Sequence, residues 1–534
     1  MRKRIKPKRI KKDNLLISLA VFVFFVIIFA GIVYKNHGYT KQAFGLENEA
    51  VSIDNKLTST ASKMPNQPLA LETCQDNDEG MNFEVQSTVS IYSDQTILRS
   101  YQDYCQANGS NVVVEYTCQN NQPQMGYHYC LNGCVSGACK PAPGKGTIYV
   151  IHAVDTEEMG LDPKQQINTL NLSNYGPGSD VEYVLSEPYR NVNRDSFGGK
   201  IKLSWFLMND EAYCQSTQAD CNIIHTTMRQ YTQKAKAYGD TYSWHYHHQD
   251  WNDLNNDGIF FWNQLLTFNQ TPYTHGTDVE LAEKMLASQI LDQQFYPSLI
   301  RMGWVWENTD FSNWLDDILP YDFSNLAPMY NNQSTSDGIG NVYDWRRALA
   351  NWSAYHPSSS DYQLPGNLKR QVFKCGGSLA DVFNAFNLAN QGQDVLICTY
   401  IHSNYVYFDR YSWLNSLHEV IRRYPEVKYK FVNALEGIHI MQNIIDEQAP
   451  SANVNRQGEV YTLITNEPLF AYPFGAIKKP DGSYARIKPQ VLEPVISGTS
   501  YGWTFNLAGL DYSEFAIGGS DQSGNTFVTQ KYLD

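Results

Sequence analysis

Basic side chains are scarce over most of this 534-residue sequence. The whole chain has a formal net charge of −14, and its first fourteen residues alone carry +7, so the rest of the chain carries −21. Proteins that bind nucleic acid use basic patches to neutralise phosphates. The shortage of basic residues therefore argues against nucleic acid as a partner, and it leaves neutral and cationic ligands open.

Long apolar runs are also scarce, and one run stands out. Residues 15–34 read LLISLAVFVFFVIIFAGIVY and contain no charged side chain. Twenty residues is the length that a helix needs to cross a bilayer core of about 30 Å. Eight basic residues precede the run, so the segment 1–14 is expected to be a cytoplasmic tail and the bulk of the chain extracellular. We predict a single-pass anchor in the cell membrane, with a cleaved signal peptide as the alternative.

Cysteine is absent from the first 73 residues, and ten cysteines follow. An even number on the predicted outer side of the membrane favours disulfides. Zinc binding through Cys130, Cys134 and Cys139 is the alternative for part of the first group. The spacing therefore predicts a disulfide-rich module over 73–141, with its connectivity open. The cysteines fall into three groups: Cys74, Cys105, Cys118, Cys130, Cys134 and Cys139; Cys214 and Cys221; Cys375 and Cys398.

The remaining segments differ in polarity and in hydrophobic pattern. Residues 35–72 are polar without a sustained period and predict a linker. Over 147–448, β-branched runs alternate with helix-like stretches, which predicts a parallel sheet with helices outside, open or closed as a barrel. Over 450–534, short apolar runs alternate with turn residues and predict a small, β-sandwich-like accessory domain. We therefore expect a multidomain protein built around an α/β unit.

Three of the twelve histidines lie within four positions in the stretch WHYHH, residues 244–248. The run before the stretch predicts a strand that ends there. Imidazole is the commonest neutral metal ligand and the usual acid or base near pH 7. The stretch is therefore either a ligand cluster or a packed aromatic strand.

Polar residues also follow the other predicted strands. Asp155 and Glu157 follow the first, Arg301 ends a later one, and His402 ends one of the last. In α/β barrels the active site is built from the loops that follow the strands. Carboxylates, imidazoles and an arginine that meet at one face suit a divalent metal with a base and an acid beside it.

These residues, in this order, resemble the NodB-like polysaccharide deacetylases, a group of carbohydrate esterases. The resemblance covers roughly residues 147–448. It implies a distorted (β/α) barrel with seven strands. It also implies metal-dependent hydrolysis of an acetyl amide, or of an ester, on an extracellular or cell-envelope glycan, with zinc as the expected ion.

The resemblance assigns the base and the metal ligands. Asp155 corresponds to the general base and Glu157 to a metal ligand. His245 corresponds to one metal-binding histidine, and either His247 or His248 to its partner. In the family these two histidines are one helical turn apart, whereas here they are nearly adjacent. The acidic pair of the family is Asp-Asp, whereas here Glu157 takes the second position.

The resemblance also assigns the remaining catalytic residues. Arg301 corresponds to the arginine that orients the base, although the proline that usually follows it is missing. His402 corresponds to the general acid, and Asp322 to the aspartate that supports this acid. Because the sequence departs from the family at several of these positions, a catalytically inactive glycan-binding or structural surface protein is the alternative. A glycoside hydrolase with paired carboxylates would not need the histidines.

Two acidic stretches are candidates for calcium. Asp253, Asn255 and Asp257 fit the start of a calcium loop, D-x-N-x-D-G, but its twelfth position is Gln264 instead of glutamate. A plain Asn/Asp/Gly loop is the alternative. The stretch DNDEG, residues 76–80, is compatible with weak calcium binding or with an Asx-rich turn.

Overall fold

The computed structural model describes residues 72–533 apart from internal gaps. The predicted tail 1–14, the predicted span 15–34 and nearly all of the linker 35–72 lie outside the described residues. Within the described part of the chain, no helix is long and apolar enough to cross a membrane. The gaps are 79, 84, 94–95, 107–110, 131–132, 141–143, 157–158, 163–166, 171, 211–219, 253–256, 259–260, 265–266, 269–271, 274–275, 334–340, 404–415 and 491–499.

The N-terminal part is a disulfide-rich β module. Its longest hairpin pairs Val112–Gln119 with Gln122–Tyr129. Both turn residues, Asn120 and Asn121, have positive φ, which matches the twist that tight hairpins require. The other strands are Thr73–Asp76, Thr88–Ser93, Thr96–Gln102, Tyr104–Cys105, Cys134–Val135 and Ala138–Cys139.

Disulfides replace a large core in this module. The described pairs are Cys74–Cys118, Cys105–Cys134 and Cys130–Cys139. The zinc alternative is wrong, because Cys130, Cys134 and Cys139 are all oxidised in these pairs. Cys221 is disulfide-bonded as well, while Cys214 lies outside the described residues. The disulfides indicate an oxidising, extracellular location.

The central unit is a nearly closed parallel sheet of eight strands, consistent with a distorted (β/α) barrel. The strand order is β6-β5-β4-β3-β2-β1-β7, and β8 pairs with the first half of β1, next to where β2 pairs with its second half. In chain order the strands are β1 (Thr147–Asp155), β2 (Leu203–Met208), β3 (Thr241–Tyr246), β4 (Leu299–Met302), β5 (Tyr321–Asn325), β6 (Gln371–Lys374), β7 (Val395–His402) and β8 (Lys428–Val432).

The two edge strands of this sheet, β6 and β7, are joined covalently. Cys375 follows β6 and forms a disulfide with Cys398 in β7. The backbone N–H of Gly376 also donates to the carbonyl of Cys398, at 2.9 Å. Inside the sheet, the rings of Phe206, Phe323 and Phe373 lie against one another. The interior is therefore packed with side chains, as in barrels whose sites lie at the ends of the strands.

Helices follow most of the strands. Three helices, Asp278–Gln293, Leu379–Asn390 and Ala434–Gln442, each begin with a capping box. In it the N-cap side chain accepts from the backbone N–H of the third helical residue, whose own side chain accepts from the N-cap backbone N–H. The other helices are Asp180–Val184, Glu187–Val192, Ile223–Met228, Thr232–Tyr238 and Thr309–Leu315, with short 3₁₀ turns at Leu172–Tyr175, Arg229–Tyr231 and Gly303–Val305.

Five small hairpins are inserted between the elements of the sheet. They pair Met159–Asp162 with Ile167–Leu170, Gln249–Asn252 with Phe261–Gln264, Pro272–Tyr273 with Gly276–Thr277, Tyr330–Gln333 with Asn341–Asp344, and Pro357–Ser358 with Asp361–Pro365.

The C-terminal part consists of antiparallel sheets. Phe474, Ala476 and Ala516 pack in one apolar cluster with the helix Asp278–Gln293. Arg486 of this part forms an ion pair with Glu283 of the same helix. Its strands are Ala452–Gln457, Val460–Thr465 and Tyr501–Asn506 in one sheet, and Phe474–Lys478, Tyr484–Ile487, Glu514–Ser520, Thr526–Val528 and Tyr532–Leu533 in the other.

Candidate functional site

Four of the predicted site residues lie at the carboxyl ends of neighbouring strands. Asp155 and His402 are the last residues of β1 and β7 and are register partners. His245 of β3 and Arg301 of β4 are register partners as well. Parallel strands end at the same edge of a sheet, so residues that are far apart in the chain meet there.

Arg301 is the residue on which this edge is built. Its Nε donates to both oxygens of Asp155, at 3.0 and 2.8 Å. Its Nη1 donates to the carbonyl of Phe323, and its guanidinium lies 3.9 Å from the centre of the Tyr400 ring. Both charged side chains are almost fully buried, at 1% and 3% exposure. The ion pair holds the carboxylate of Asp155 in one orientation. Breaking the pair is costly, because the remaining charge would be buried and unpaired.

The same arginine fixes His245 through its backbone. Nδ1 of His245 lies 2.7 Å from the carbonyl oxygen of Arg301. A carbonyl only accepts, so Nδ1 carries the proton and Nε2 keeps its lone pair. This is the arrangement that orients histidines as metal ligands.

His247 lies beside His245 with its ring nearly perpendicular. The two Nε2 atoms are 3.2 Å apart, and the interplanar angle is 82°. Because the Nε2 atom of His245 is an acceptor, the pair either shares a proton or directs two nitrogen donors at one cation. The second state fits a divalent metal with imidazole ligands.

The turn after β4 holds the ring of His247. A Cβ atom at Gly303 would lie 2.1 Å from this ring, so only glycine fits there. Trp304 follows with a φ of 52° and packs edge-on against His247, and Val305 has a φ of 50°. Positive φ is costly for a β-branched residue. The carbonyl of Val305 accepts a hydrogen bond from Trp345, which supports this strained turn.

His248 lies apart from that pair, although the sequence leaves it equal to His247 as a candidate. Its Nε2 lies 2.7 Å from the carbonyl of Thr267, and its ring stacks on Trp306 at 4.2 Å. Burial lowers the pKa of His248 to about 4, against the opposite effect of the Thr267 carbonyl. Adjacent residues of an extended chain point in opposite directions, which accounts for the separation.

Asp322 lies in a buried ion-pair network. Its Oδ1 accepts from the N–H and hydroxyl of Ser324, and its Oδ2 accepts from Arg370 at 2.6 Å. Arg370 also binds Glu307, whose pKa is raised to about 8 by burial, an effect that the charge of Arg370 opposes and the charge of Asp322 increases. The hydrogen bonds of Asp322 therefore serve this network and do not reach His402. The expected role of Asp322 beside His402 stays a prediction.

His402 is half-buried, and its ring packs edge-on against Tyr400 at 5.7 Å. Tyr400 thus lies between His402 and Arg301, a position that the sequence analysis overlooked. The signal was available: Tyr400 is two residues before His402 on one strand, so both side chains point to the same face.

The remaining candidates from the sequence are Glu157 and the three residues of the calcium-loop motif. Glu157, Asp253 and Asn255 lie outside the described residues, and Asp257 is exposed. Among the described residues, the groups of three side chains with potential ligand atoms within 4.8 Å of one another lie elsewhere: Asp78, Asp103 and Glu115, and Asp446, Glu467 and Asp521. At the strand ends the described residues bring two nitrogen donors together, those of His245 and His247.

Comparisons with known proteins identified no relative. No family model matches the chain, and neither the curated proteins nor the solved structures gave a match. A functional proposal therefore depends on the sequence pattern and on the geometry described above.

Proposed function

We propose that this chain is a membrane-anchored, outward-facing hydrolase that removes acetyl groups from an extracellular or cell-envelope polysaccharide. The observation that carries the proposal is Arg301, whose side chain binds Asp155 and whose carbonyl binds His245. One residue thereby holds a carboxylate and an imidazole at the same end of the sheet. Metal-dependent hydrolysis needs such a preorganised pair.

The donors at this edge fit a divalent ion of the zinc class. His245 and His247 would hold the ion through Nε2, and Glu157, outside the described residues, would be the third ligand, as the family resemblance implies. Three protein ligands and an open position are typical of catalytic zinc. When bound, the ion supplies polarisation of the acetyl carbonyl and a lowered pKa of water.

The chain's own residues supply the proton transfers. Asp155, oriented by its ion pair with Arg301, accepts the proton of the water whose oxygen attacks the acetyl carbon. His402 donates a proton to the leaving nitrogen as its bond to that carbon breaks. Arg301 stays charged throughout, and Tyr400 packs on its face, so the orientation of Asp155 is kept.

The location agrees with a polysaccharide substrate. The disulfides of the described residues indicate an oxidising compartment. A basic tail and an apolar run of membrane-spanning length precede them in the sequence. An anchored enzyme facing outward would meet cell-envelope or extracellular glycan.

The second candidate is a catalytically inactive glycan-binding or structural surface protein with the same barrel. It is favoured by the small number of clustered donors, because the described residues bring two imidazoles into contact at the strand ends and Gln249 stands where the family has its second histidine. Bound metal separates the two candidates, since the inactive protein would not need it.

The test is metal content by mass spectrometry on the full chain, followed by acetate release from acetylated glycans. We expect about one ion per chain in the wild type, loss of the ion in His245→Ala and His247→Gln, and its retention in His248→Gln, the matched control. Absence of metal from all four proteins after incubation with zinc would exclude the hydrolase and leave the binding protein.

A further inference from the structure

The disulfide-rich module holds a second concentration of buried charge, which plays no part in the proposed hydrolysis. Four carboxylates belong to it: Asp76, Asp78, Asp103 and Glu115. Asp103 and Glu115 are 1% and 0% exposed. Oxygens of Asp78, Asp103 and Glu115 all lie within 4.8 Å of one another. Oxygens of three of these carboxylates thus lie close enough together to contact one ion.

The four carboxylates have no compensating ion pair within the described part of the chain. Among the described residues, no lysine, arginine or histidine forms an ion pair with any of the four. Burial raises the pKa of Glu115 to about 7, and the charges of Asp103, Asp78 and Asp76 add to this effect. Burial together with Asp76 raises the pKa of Asp78 to about 6. Like charges in a buried site are unfavourable unless a cation joins them.

Some carboxylate oxygens of the cluster accept hydrogen bonds, and others have no hydrogen-bond partner among the described residues. Asp103 accepts from the backbone N–H of Ser87 and of Tyr116, at 2.6 and 2.8 Å. Glu115 accepts from the N–H of Asn82 through Oε1, while its Oε2 is buried and has no hydrogen-bond partner among the described residues. A fully buried carboxylate that lies among other carboxylates and has an oxygen without a hydrogen-bond partner among the described residues indicates a missing ligand.

The disulfides fix the segments that carry these carboxylates. Cys74 lies two residues before Asp76, Cys105 lies two after Asp103, and Cys118 lies three after Glu115. Two of these cysteines, Cys74 and Cys118, are bonded to each other. The acidic side chains therefore cannot move apart to relieve their repulsion without distorting a covalently closed module.

We propose that Asp78, Asp103 and Glu115 form a calcium site in the disulfide-rich module. Calcium takes carboxylate and carbonyl oxygens at about 2.3–2.6 Å, so ligand oxygens up to about 5 Å apart can contact one ion. The oxygens here fall within that limit. Water completes the six to eight ligands that calcium prefers. The site is independent of the barrel chemistry, and its occupancy stabilises the module.

The test is calorimetric titration of the chelator-treated full chain with calcium chloride, with thermal unfolding measured in parallel. We expect binding in the range of extracellular calcium modules, about 10⁻⁴–10⁻³ M, and a higher unfolding temperature with calcium. Glu115→Gln and Asp78→Asn should weaken this binding at least about tenfold. Glu467→Gln, in the other acidic group, and Asp257→Asn, in the predicted calcium loop, are the matched controls and should bind as the wild type does.

Either of two results overturns the proposal. One is no binding and no thermal shift in the wild type at millimolar calcium. The other is binding that Asp78→Asn leaves unchanged. Asp78 lies on a half-buried turn, so its variant decides the question even where Glu115→Gln fails to fold.

Discussion

The carboxyl end of the barrel and the disulfide-rich module both bury carboxylates, and they compensate the charge in different ways. At the barrel, Asp155 of β1 is paired with Arg301 of β4, and β2 and β3 lie between these two strands in the sheet. In the module, Glu115 and Asp103 are equally buried, and the described residues offer no cation to either. A carboxylate that is paired within the fold is held in place by its partner, whereas an unpaired buried carboxylate is stabilised either by a proton or by a bound cation.

The largest effect is expected from Asp155→Asn. An amide cannot accept the proton of water, so acetate release should fall by about 10²–10⁴-fold while metal content is unchanged. Asp257→Asn, at an exposed position, is the matched control and should keep full activity. If Asp155→Asn turned over substrate at the wild-type rate, the paired carboxylate of the barrel would have no role in the reaction.

Arg301→Leu tests whether the internal arginine is the compensating charge. The substitution leaves Asp155 buried and unpaired, so the free energy of unfolding should fall by about 3–5 kcal/mol. Measured by urea unfolding, the double variant Arg301→Leu with Asp155→Asn should lose clearly less than the sum of the two single variants. Additive losses would mean that the pair is not coupled.

The buried side chain of His225 shows a third way to avoid a buried charge, because it stays neutral. His225 is buried between Tyr242 and Phe295, and burial lowers its pKa to about 3, with the charge of Arg229 adding to the effect. An unfolded histidine takes a proton below about pH 6.5 and the folded one does not, so stability is present above pH 6.5 and is lost as the pH falls.

The size of this loss follows from the same shift. Between pH 7.5 and 5, His225 should contribute a loss of about 2 kcal/mol to the unfolding free energy. His225→Phe keeps an aromatic ring in the site and should remove that part of the pH dependence. An unchanged pH profile in urea unfolding would show that the imidazole is protonated in the fold.

The smallest effect is expected from Gly303→Ala, which leaves every charge in place. The added Cβ would lie 2.1 Å from the ring of His247, so the ring must shift and metal affinity should fall about tenfold, or about 1.4 kcal/mol. Gly144→Ala, where a Cβ meets nothing within 4 Å, is the matched control. Equal metal content and affinity in both variants would show that His247 is not a ligand.

Much of the sheet could be predicted from the sequence. The run that leads into the histidine stretch was predicted as a strand and is β3, and the predicted alternation of strands with helices is present over 147–448. β5 and β6 were missed because YDFSN and QVFK are short and mix polar with apolar residues. Their polar residues face buried partners such as Arg370, and periodicity carries no information about that network.

The candidate site was predicted in part. Asp155, His245, Arg301 and His402 were chosen because they end apolar strands, and the sheet brings these ends to one edge. The sequence did not separate His247 from His248, since both are adjacent to the same strand. It also placed Asp322 with His402, although the nearest cation to Asp322 is Arg370, which precedes β6.

The sequence by itself determined the α/β alternation, the disulfide chemistry and the kinds of side chain at the strand ends. Hydrophobic period and cysteine spacing are local properties, so they can be recognised without neighbours. Only the tertiary structure decided which charged side chains are in contact. Arg301 pairs with Asp155, Arg370 pairs with Asp322, and Glu115 lies among other carboxylates. Burial and pairing depend on contacts between distant segments, and those contacts set whether a buried charge is compensated or must bind an ion.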